Sequence, residues 1–457
     1  MKHSPLRPVA TRCLASLWLG LGAWFVHAQD TAPEARTEET SQARYQSTYN
    51  TQQHPAFASA GASFNSLGAG ADRMFTFSLT GHWGKRLDSG AEVYMNAELA
   101  SGVPFTNNLV GLGGFTNGEI TRAAGSTPKP YLQRLFWRQT WNQGGGREWL
   151  DSDFNQMARW VDKNRFVLTA GNFSTLDVFD DNAYAKDPRT QFMNWAHWTY
   201  GAFDYAADAR GFGWGLAAEW YRDNWVFRLG RMTGPKRPNE LPVDWDLLRH
   251  YGDQFEVEHA HHLAGQPGKL RVLAFRNRAI TASFSDATAY LRSHAPASDA
   301  DRQTIFQVRS GEKTKYGLGL NLEQALSPDV GVFMRAMKAD GRSETYAFTE
   351  IDASLSAGAV LNGRGWGRAQ DHVGLAVMDN RLSRARRQFL EAGGISYFIG
   401  DGTAFRYRPE RGLETYYSLG LNKHSWLTAD LQRLHNPAYN ALRGPLTVYA
   451  LRLHTQF

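Results

Sequence analysis

Between Thr175 and Arg210 the chain gathers side chains suited to handling small polar solutes. The stretch holds carboxylates at Asp177, Asp180, Asp181, Asp187, Asp204 and Asp208, guanidinium groups at Arg189 and Arg210, amides at Asn182 and Asn194, and rings at Trp195, Trp198, Tyr200 and Tyr205. Sugar hydroxyls both donate and accept hydrogen bonds, and sugar ring faces stack on aromatic side chains, so this mixture suits carbohydrate. The same residue types also brace loops against protein walls, and composition alone leaves both roles open.

Other chemistries fit less well. Adjacent Asp180 and Asp181 point apart on extended chain, whereas glycoside hydrolysis needs two carboxyls facing each other across a sugar. His259 and His261 share one strand face, compatible with metal, but they fit a strand end at the membrane headgroups as well. Asp151, Asp153 and Asn155 imitate the start of a calcium loop, yet Gln156 stands where glycine is required and Asp162 where glutamate is required. The run Gly111–Glu119 lacks the Lys and Ser/Thr of a phosphate loop and reads as a turned mouth loop exposing Asn117 and Glu119. No G-x-S-x-G elbow accompanies the serines. The expectation is a non-enzyme with no cofactor and no resident metal.

The elements that position these residues are strands. In Leu446–Phe457, Tyr449, Leu451, Leu453 and Phe457 fall on one face and Val448, Ala450, Arg452, His454 and Gln456 on the other. An exposed terminal strand with an apolar face would be an aggregating edge in a soluble sheet, whereas a closed transmembrane barrel leaves no edge. The alternation recurs in segments of about ten residues, the length of a tilted membrane strand. Phe75, Phe77, Leu79 and Trp83 form one apolar face, and Val93, Met95, Ala97 and Leu99 another, with Glu98 pointing inward. Leu135, Trp137 and Trp141 oppose Arg134, Phe136 and Arg138, so two arginines face the lumen. Connections alternate between tight hairpins, at Asp223–Asn224, Gln266–Gly268 and Asn422–Ser425, and long loops at 103–130, 174–211 and 233–253. These features predict an all-β antiparallel transmembrane barrel of sixteen strands, with eighteen as the competing count, and loops folded into its lumen.

The rest of the composition agrees. Lys2, Arg7 and Arg12 precede an apolar run from Leu14 to Val26, and Val26-His27-Ala28 offers a cleavage site. Residues 1–28 therefore read as a Sec-type signal peptide, 29–43 as a flexible periplasmic lead-in, and 44–457 as the barrel. The single cysteine, Cys13, leaves with the signal, which suits an oxidising compartment. Cleavage removes three cations and no acid, taking the formal charge from +6 to about +3, with no concentrated basic patch for nucleic acid. Past residue 28 no apolar run is long enough for a spanning helix, while aromatic residues reach 13%.

Five blocks carry a resemblance: G-L-G-G-F-T-N-G-E (111–119), V-D-K-N-R-F-V-L-T-A-G-N-F-S (161–174), D-D-N-A-Y-A-K-D-P-R-T-Q-F-M-N-W-A (180–196), Y-A-A-D-A-R-G-F-G-W-G-L-A-A-E-W-Y (205–221) and N-P-A-Y-N-A-L-R-G-P (436–445). In this order they resemble the OprB-type carbohydrate-selective porin family. The resemblance implies an outer-membrane barrel through which monosaccharides diffuse, with a constriction drawn from the 180–195 block and the Asp208–Arg210 turn. Candidate solute contacts are Glu98, Glu119, Arg134, Arg138, Asp180, Asp181, Asn182, Arg189, Asn194, Trp195, Asp208 and Arg210. Implied partners are outer-membrane lipid, small carbohydrates and the barrel-assembly machinery, which reads Tyr449, Leu451, Leu453 and Phe457; monomer and trimer both remain open. The 180–196 wording also resembles a broad subgroup linked to metal ions and other small solutes. From other classes, a lipase-like barrel enzyme would need a Ser-His-acid cluster on the outer wall, and a structural barrel would need a plugged lumen.

Overall fold

Strict period-two patterning drives the architecture. Each strand turns one residue set to lipid and the other to the interior, and closing the sheet satisfies every main-chain edge. A computed structural model describes residues 36–123, 125–347 and 349–457. The signal peptide and residues 29–35 of the lead-in lie outside the described residues.

Sixteen antiparallel strands form one closed barrel, running from Ser41–His54 to Leu446–Gln456. The two end strands pair with each other in register from Gln46↔Gln456 to Gln53↔Tyr449. The count of sixteen holds, and eighteen does not: the two extra strands, Arg147–Leu150 and Arg159–Asp162, pair only with each other. The first strand begins at Ser41 rather than Arg44. Glu38 and Glu39, assigned to the flexible lead-in, are pinned instead. Glu39 accepts from Ala158 N at 2.8 Å and Glu38 from Trp160 N at 3.0 Å.

The terminal strand has the expected two faces. Tyr449, Leu451 and Leu453 are about half exposed, while Val448, Ala450, Arg452 and His454 are buried. Leu216, Leu229, Leu318 and Leu375 extend this outward apolar belt around the barrel. The Trp225 and His259 rings lie tilted against each other, centroids 4.3 Å apart, on the outer face at the short-turn end, where His261 follows in line. That placement agrees with a headgroup rim for these imidazoles.

One end carries short turns, apart from the 143–164 connection that holds the small two-stranded sheet, and the other carries long loops. The hairpin placed at Gln266–Gly268 turns at Ala264–Gly265, both at positive φ, and Gln266 already pairs with Leu263. Gly265 supplies one left-handed position, and the Pro267-Gly268 pair that follows drew the expected turn two residues too far along the chain. Long connections span 104–124, 174–212 and 233–250, as anticipated, and also 281–311 and 382–409. The last two hold helices Phe284–Ser293 and Arg384–Glu391, capped at their N-termini by Ser283 and Ser383.

Candidate functional site

The loop 174–212 enters the lumen and is held there by the wall. Its first turn is closed by a capping box between Ser174 and Asp177. Asp180 then sits on a left-handed backbone and is almost fully buried. One of its oxygens accepts from Arg335 Nε at 2.8 Å and Asn321 Nδ2 at 2.6 Å, and the other from Thr199 Oγ1 and Tyr200 N, both at 2.9 Å. Four donors, two from adjacent residues of the same loop and one from each of two wall strands, converge on this carboxylate, so Asp180 anchors the loop. Downstream, Glu414 accepts from Met193 N at 2.5 Å and Asn194 N at 3.0 Å, and Arg452 donates to Pro188 O and Gln191 O at 2.7 Å each. Wall side chains thus satisfy loop main-chain groups that water cannot reach.

The neighbouring loop 104–124 is fixed in the same way. Gly113 N and Gly114 N donate to Glu410 at 2.9 and 3.0 Å. A Cβ at Gly113 would stand 2.3 Å from Tyr439 Oη, so only glycine permits this approach. Asn117 and Glu119, expected to be exposed, are buried. Asn117 caps the following turn through Glu119 N at 3.0 Å and donates to Thr76 Oγ1 at 2.9 Å.

Arg189 joins both loops to the wall. Its Nε donates to Glu119 at 2.5 Å and its Nη2 to Glu98 at 2.6 Å, with all three side chains buried. Glu98 also accepts from Thr80, Tyr131 and Gln133, and its burial keeps it away from a passing solute. Burial alone would lower the Arg189 pKa, but Glu119 and Glu98 together raise it above its ordinary value.

Between these loops and the wall lies a cavity of about 820 Å³. Arg122, Arg134, Arg138, Lys186, Arg189 and Arg210 line it, opposed by Asp153, Asp177, Asp181 and Asp187. Trp195, Trp198 and Tyr205 supply aromatic walls, with Trp195 stacked on Tyr205 at 6.1 Å and set edge-on to Trp198 at 5.1 Å. Arg134 grips Asp177 through two 2.7 Å bonds. Burial would raise the Asp177 pKa, but Arg134 holds it below the usual carboxylate value. Lys186, 2.5 Å from Asp181, is the main cause of that carboxyl's low pKa. Arg210 lies 4.4 Å over the Tyr131 ring, and Arg138 donates to Asn155 O at 3.0 Å while covering Phe136 at 5.1 Å.

Two smaller hollows flank the cavity. One of about 430 Å³ on the long-loop side, lined by Pro104, Ile120, Ala209 and Tyr397, shares Thr121 with its lining. Another of about 350 Å³ beside the turn at Pro328–Asp329 shares Thr190, Gln191 and His372. The 143–164 connection turns back beneath the cavity and brings Phe154 to 4.5 Å from the His82 ring. In that segment Asp153 N and O pair with Gln156, and Arg138 occupies the Asn155 carbonyl. Among the described residues no cluster of three His, Cys, Asp or Glu could hold a metal.

Of the twelve candidates, Arg134, Arg138, Asp181, Asn182, Arg189, Trp195 and Arg210 line this cavity. Glu98 and Glu119 stand behind Arg189. Asp180 and Asn194 do not reach the cavity: Asn194 caps helix Trp195–Trp198 and bonds Gln432 at 3.1 Å. Asp208 closes its own turn by accepting from Arg210 N and Phe212 N. Sequence reasoning missed Arg122, Lys186, His82 and His454 as lining residues. Alternation from Trp83 and Leu453 marks His82 and His454 as inward, whereas Arg122 and Lys186 lie on loops without a period.

A family model described as "Carbohydrate-selective porin, OprB family" matches residues 74–457. No curated protein matches by sequence. Among solved structures, Pseudomonas putida OprB superposes with TM-score 0.63 at 14% identity, covering 92% of this chain and 94% of that one. The Acinetobacter baumannii outer membrane channel DcaP gives 0.47 at 9% identity over 91% and 97% of the chains. Pseudomonas aeruginosa OccK2 gives 0.43 at 8% identity, also over 91% and 97%. With the family model spanning nearly the whole barrel, the chain belongs to the carbohydrate-selective porin family OprB and is an integral porin of the outer membrane.

Proposed function

We propose that the cavity around Arg134, Arg138, Arg189 and Trp195 is the selectivity region and that monosaccharides are its solutes. The observation that carries this reading is the lining itself, where donors, acceptors and aromatic faces from two loops and the wall surround one space. A solute moving past such a lining exchanges water hydrogen bonds for protein ones at little net cost, so it binds weakly enough to leave again. Cargo crosses passively, with no chemical step.

The pairing pattern favours neutral solutes over metal ions. Asp177 and Asp181 are committed to Arg134 and Lys186, and Arg138 and Arg210 reach the cavity without a carboxylate partner within bonding distance. Asp153 and Asp187 also line the cavity, so a free cation meets six cationic side chains against four carboxylates, an excess of positive charge. In planar bilayers the protein is expected to give discrete conductance steps that millimolar glucose reduces. Unchanged steps in saturating glucose and maltose would remove the carbohydrate reading and leave the porin.

We also propose that the barrel-assembly machinery recognises the terminal strand through Tyr449, Leu451, Leu453 and Phe457. These side chains lie exposed on one face of the strand, where an insertion partner could meet them before the barrel closes.

A further inference from the structure

Charged side chains on the lipid-facing surface are costly at mid-membrane and tolerated only near the interfaces. Two clusters of them lie on the outer face, both at the long-loop end. In the first, Arg231, Asp253 and Arg276 stand side by side on three neighbouring strands, directly above the apolar row Leu229, Phe255 and Ala274. Arg231 donates to Asp253 at 2.7 and 2.9 Å, and Arg276 donates to the same carboxylate at 2.5 Å. Both guanidinium groups cover the Tyr251 ring, at 4.0 and 5.1 Å. Beside them Arg249 and Arg278 share Glu312. In the second cluster Arg381 and Arg411 share Asp379, at 2.5 and 2.8 Å, and Arg433 follows on the next strand.

Each cluster has more arginines than carboxylates. The first sets four against Asp253 and Glu312, and the second sets three against Asp379. By contrast, the short-turn pairs Arg364–Asp329 and Arg368–Asp371 match one to one. Except for Arg433, whose contact is to Thr447, each clustered arginine is held by a shared carboxylate yet remains 39–66% exposed. A guanidinium has five N–H donors, and one carboxylate occupies only some of them. The shared carboxylate fixes the fork in place, lowering the ordering cost of a second anion.

We propose that these clusters are binding sites for the phosphate groups of outer-leaflet lipopolysaccharide, with its acyl chains lying along the apolar belt beneath. Long loops face the cell exterior, so the arginines lie at outer-leaflet headgroup depth. Phosphate monoesters carry close to two charges at neutral pH and match the guanidinium fork, which a zwitterionic headgroup does not.

The test titrates detergent-purified, folded barrel with diphosphoryl lipid A, dephosphorylated lipid A and phosphatidylglycerol, reading affinity and thermal unfolding. Saturable binding of diphosphoryl lipid A with a rise in unfolding temperature is expected, and neither other lipid should reproduce it. The variant R231Q/D253N/R276Q removes two guanidinium groups without stranding a carboxylate, and should abolish the first cluster's share of the saturable binding while the second cluster's remains; unchanged stoichiometry and affinity would overturn the proposal. R364Q/R368Q, at the opposite rim, should leave affinity unchanged. Equal affinity for dephosphorylated lipid A or phosphatidylglycerol would overturn the proposal. So would wild-type affinity in a folded, heat-modifiable variant that combines R231Q/D253N/R276Q with R381Q/D379N/R411Q.

Discussion

Replacing Arg189 with alanine is expected to widen the channel and abolish its response to sugar. The side chain is buried between Glu98 and Glu119, and its removal leaves Glu98 with only the neutral donors Thr80, Tyr131 and Gln133 and Glu119 with only the looser Arg122 contact at 3.5 Å as an ionic partner. Losing one partner of a buried ion pair costs about 3–5 kcal/mol, so the loops should separate locally rather than tolerate the repulsion. The barrel itself should stay closed through the pairing of its first and last strands, and the rest of the loop should stay anchored, because Asp180 remains tied to Arg335 and Glu414 remains tied to the main chain at Met193 and Asn194. Single-channel recording should therefore show larger steps than wild type without glucose block, while the folded protein keeps its heat-modifiable mobility on gels. Arg189→Lys should fall between the two, since one ammonium cannot span both carboxylates as the guanidinium does. Wild-type conductance and block in Arg189→Ala would show that the loop junction does not set the aperture.

Deleting Phe457 should sharply lower the amount of assembled barrel. In the folded protein the residue contributes a ring stacked 5.1 Å from Tyr45 and 4.7 Å from His424, and two main-chain bonds to Tyr45 at 3.1 and 2.9 Å. An aromatic pair adds about 1 kcal/mol beyond its buried area, and bonds at a strand end add modestly. Loss of folded-state stability is thus too small to empty the membrane of barrel. A steep fall in heat-modifiable protein, with export to the periplasm intact, would mean that the end of the strand is read during insertion. Normal levels of folded barrel in the deletion would contradict that role.

The barrel wall was legible in the sequence because period two is a local signal. Tyr449, Leu451 and Leu453, and equally Arg134 and Arg138, point where alternation places them. Even there a register shift intervened: Asn96 pairs with Arg134 and Ala97 with Leu132, leaving buried Gln133 as an extra inward residue. Alternation alone cannot reveal such a bulge. Long loops obey no period, and their residue types suit two roles. Asp180 and Asp181 are adjacent and chemically identical, yet Asp180 is consumed by Arg335 and Asn321 while Asp181 reaches the cavity. What separates them is the position of two strands far along the chain, which is tertiary information. The helix Arg384–Glu391 was more accessible, since Ser383 is a good N-cap, but its apolar residues are too few to dominate a pattern among three arginines and strands on both sides.

The central claim is that paired charges and aromatic faces in one luminal cavity select neutral sugars. Liposome swelling with the purified protein tests it most directly, using a size-matched series of neutral, anionic and cationic solutes. Monosaccharides should enter faster than cations of equal size, and disaccharides should enter more slowly than monosaccharides. Equal rates for cations and neutral sugars, or no entry by any monosaccharide, would contradict it.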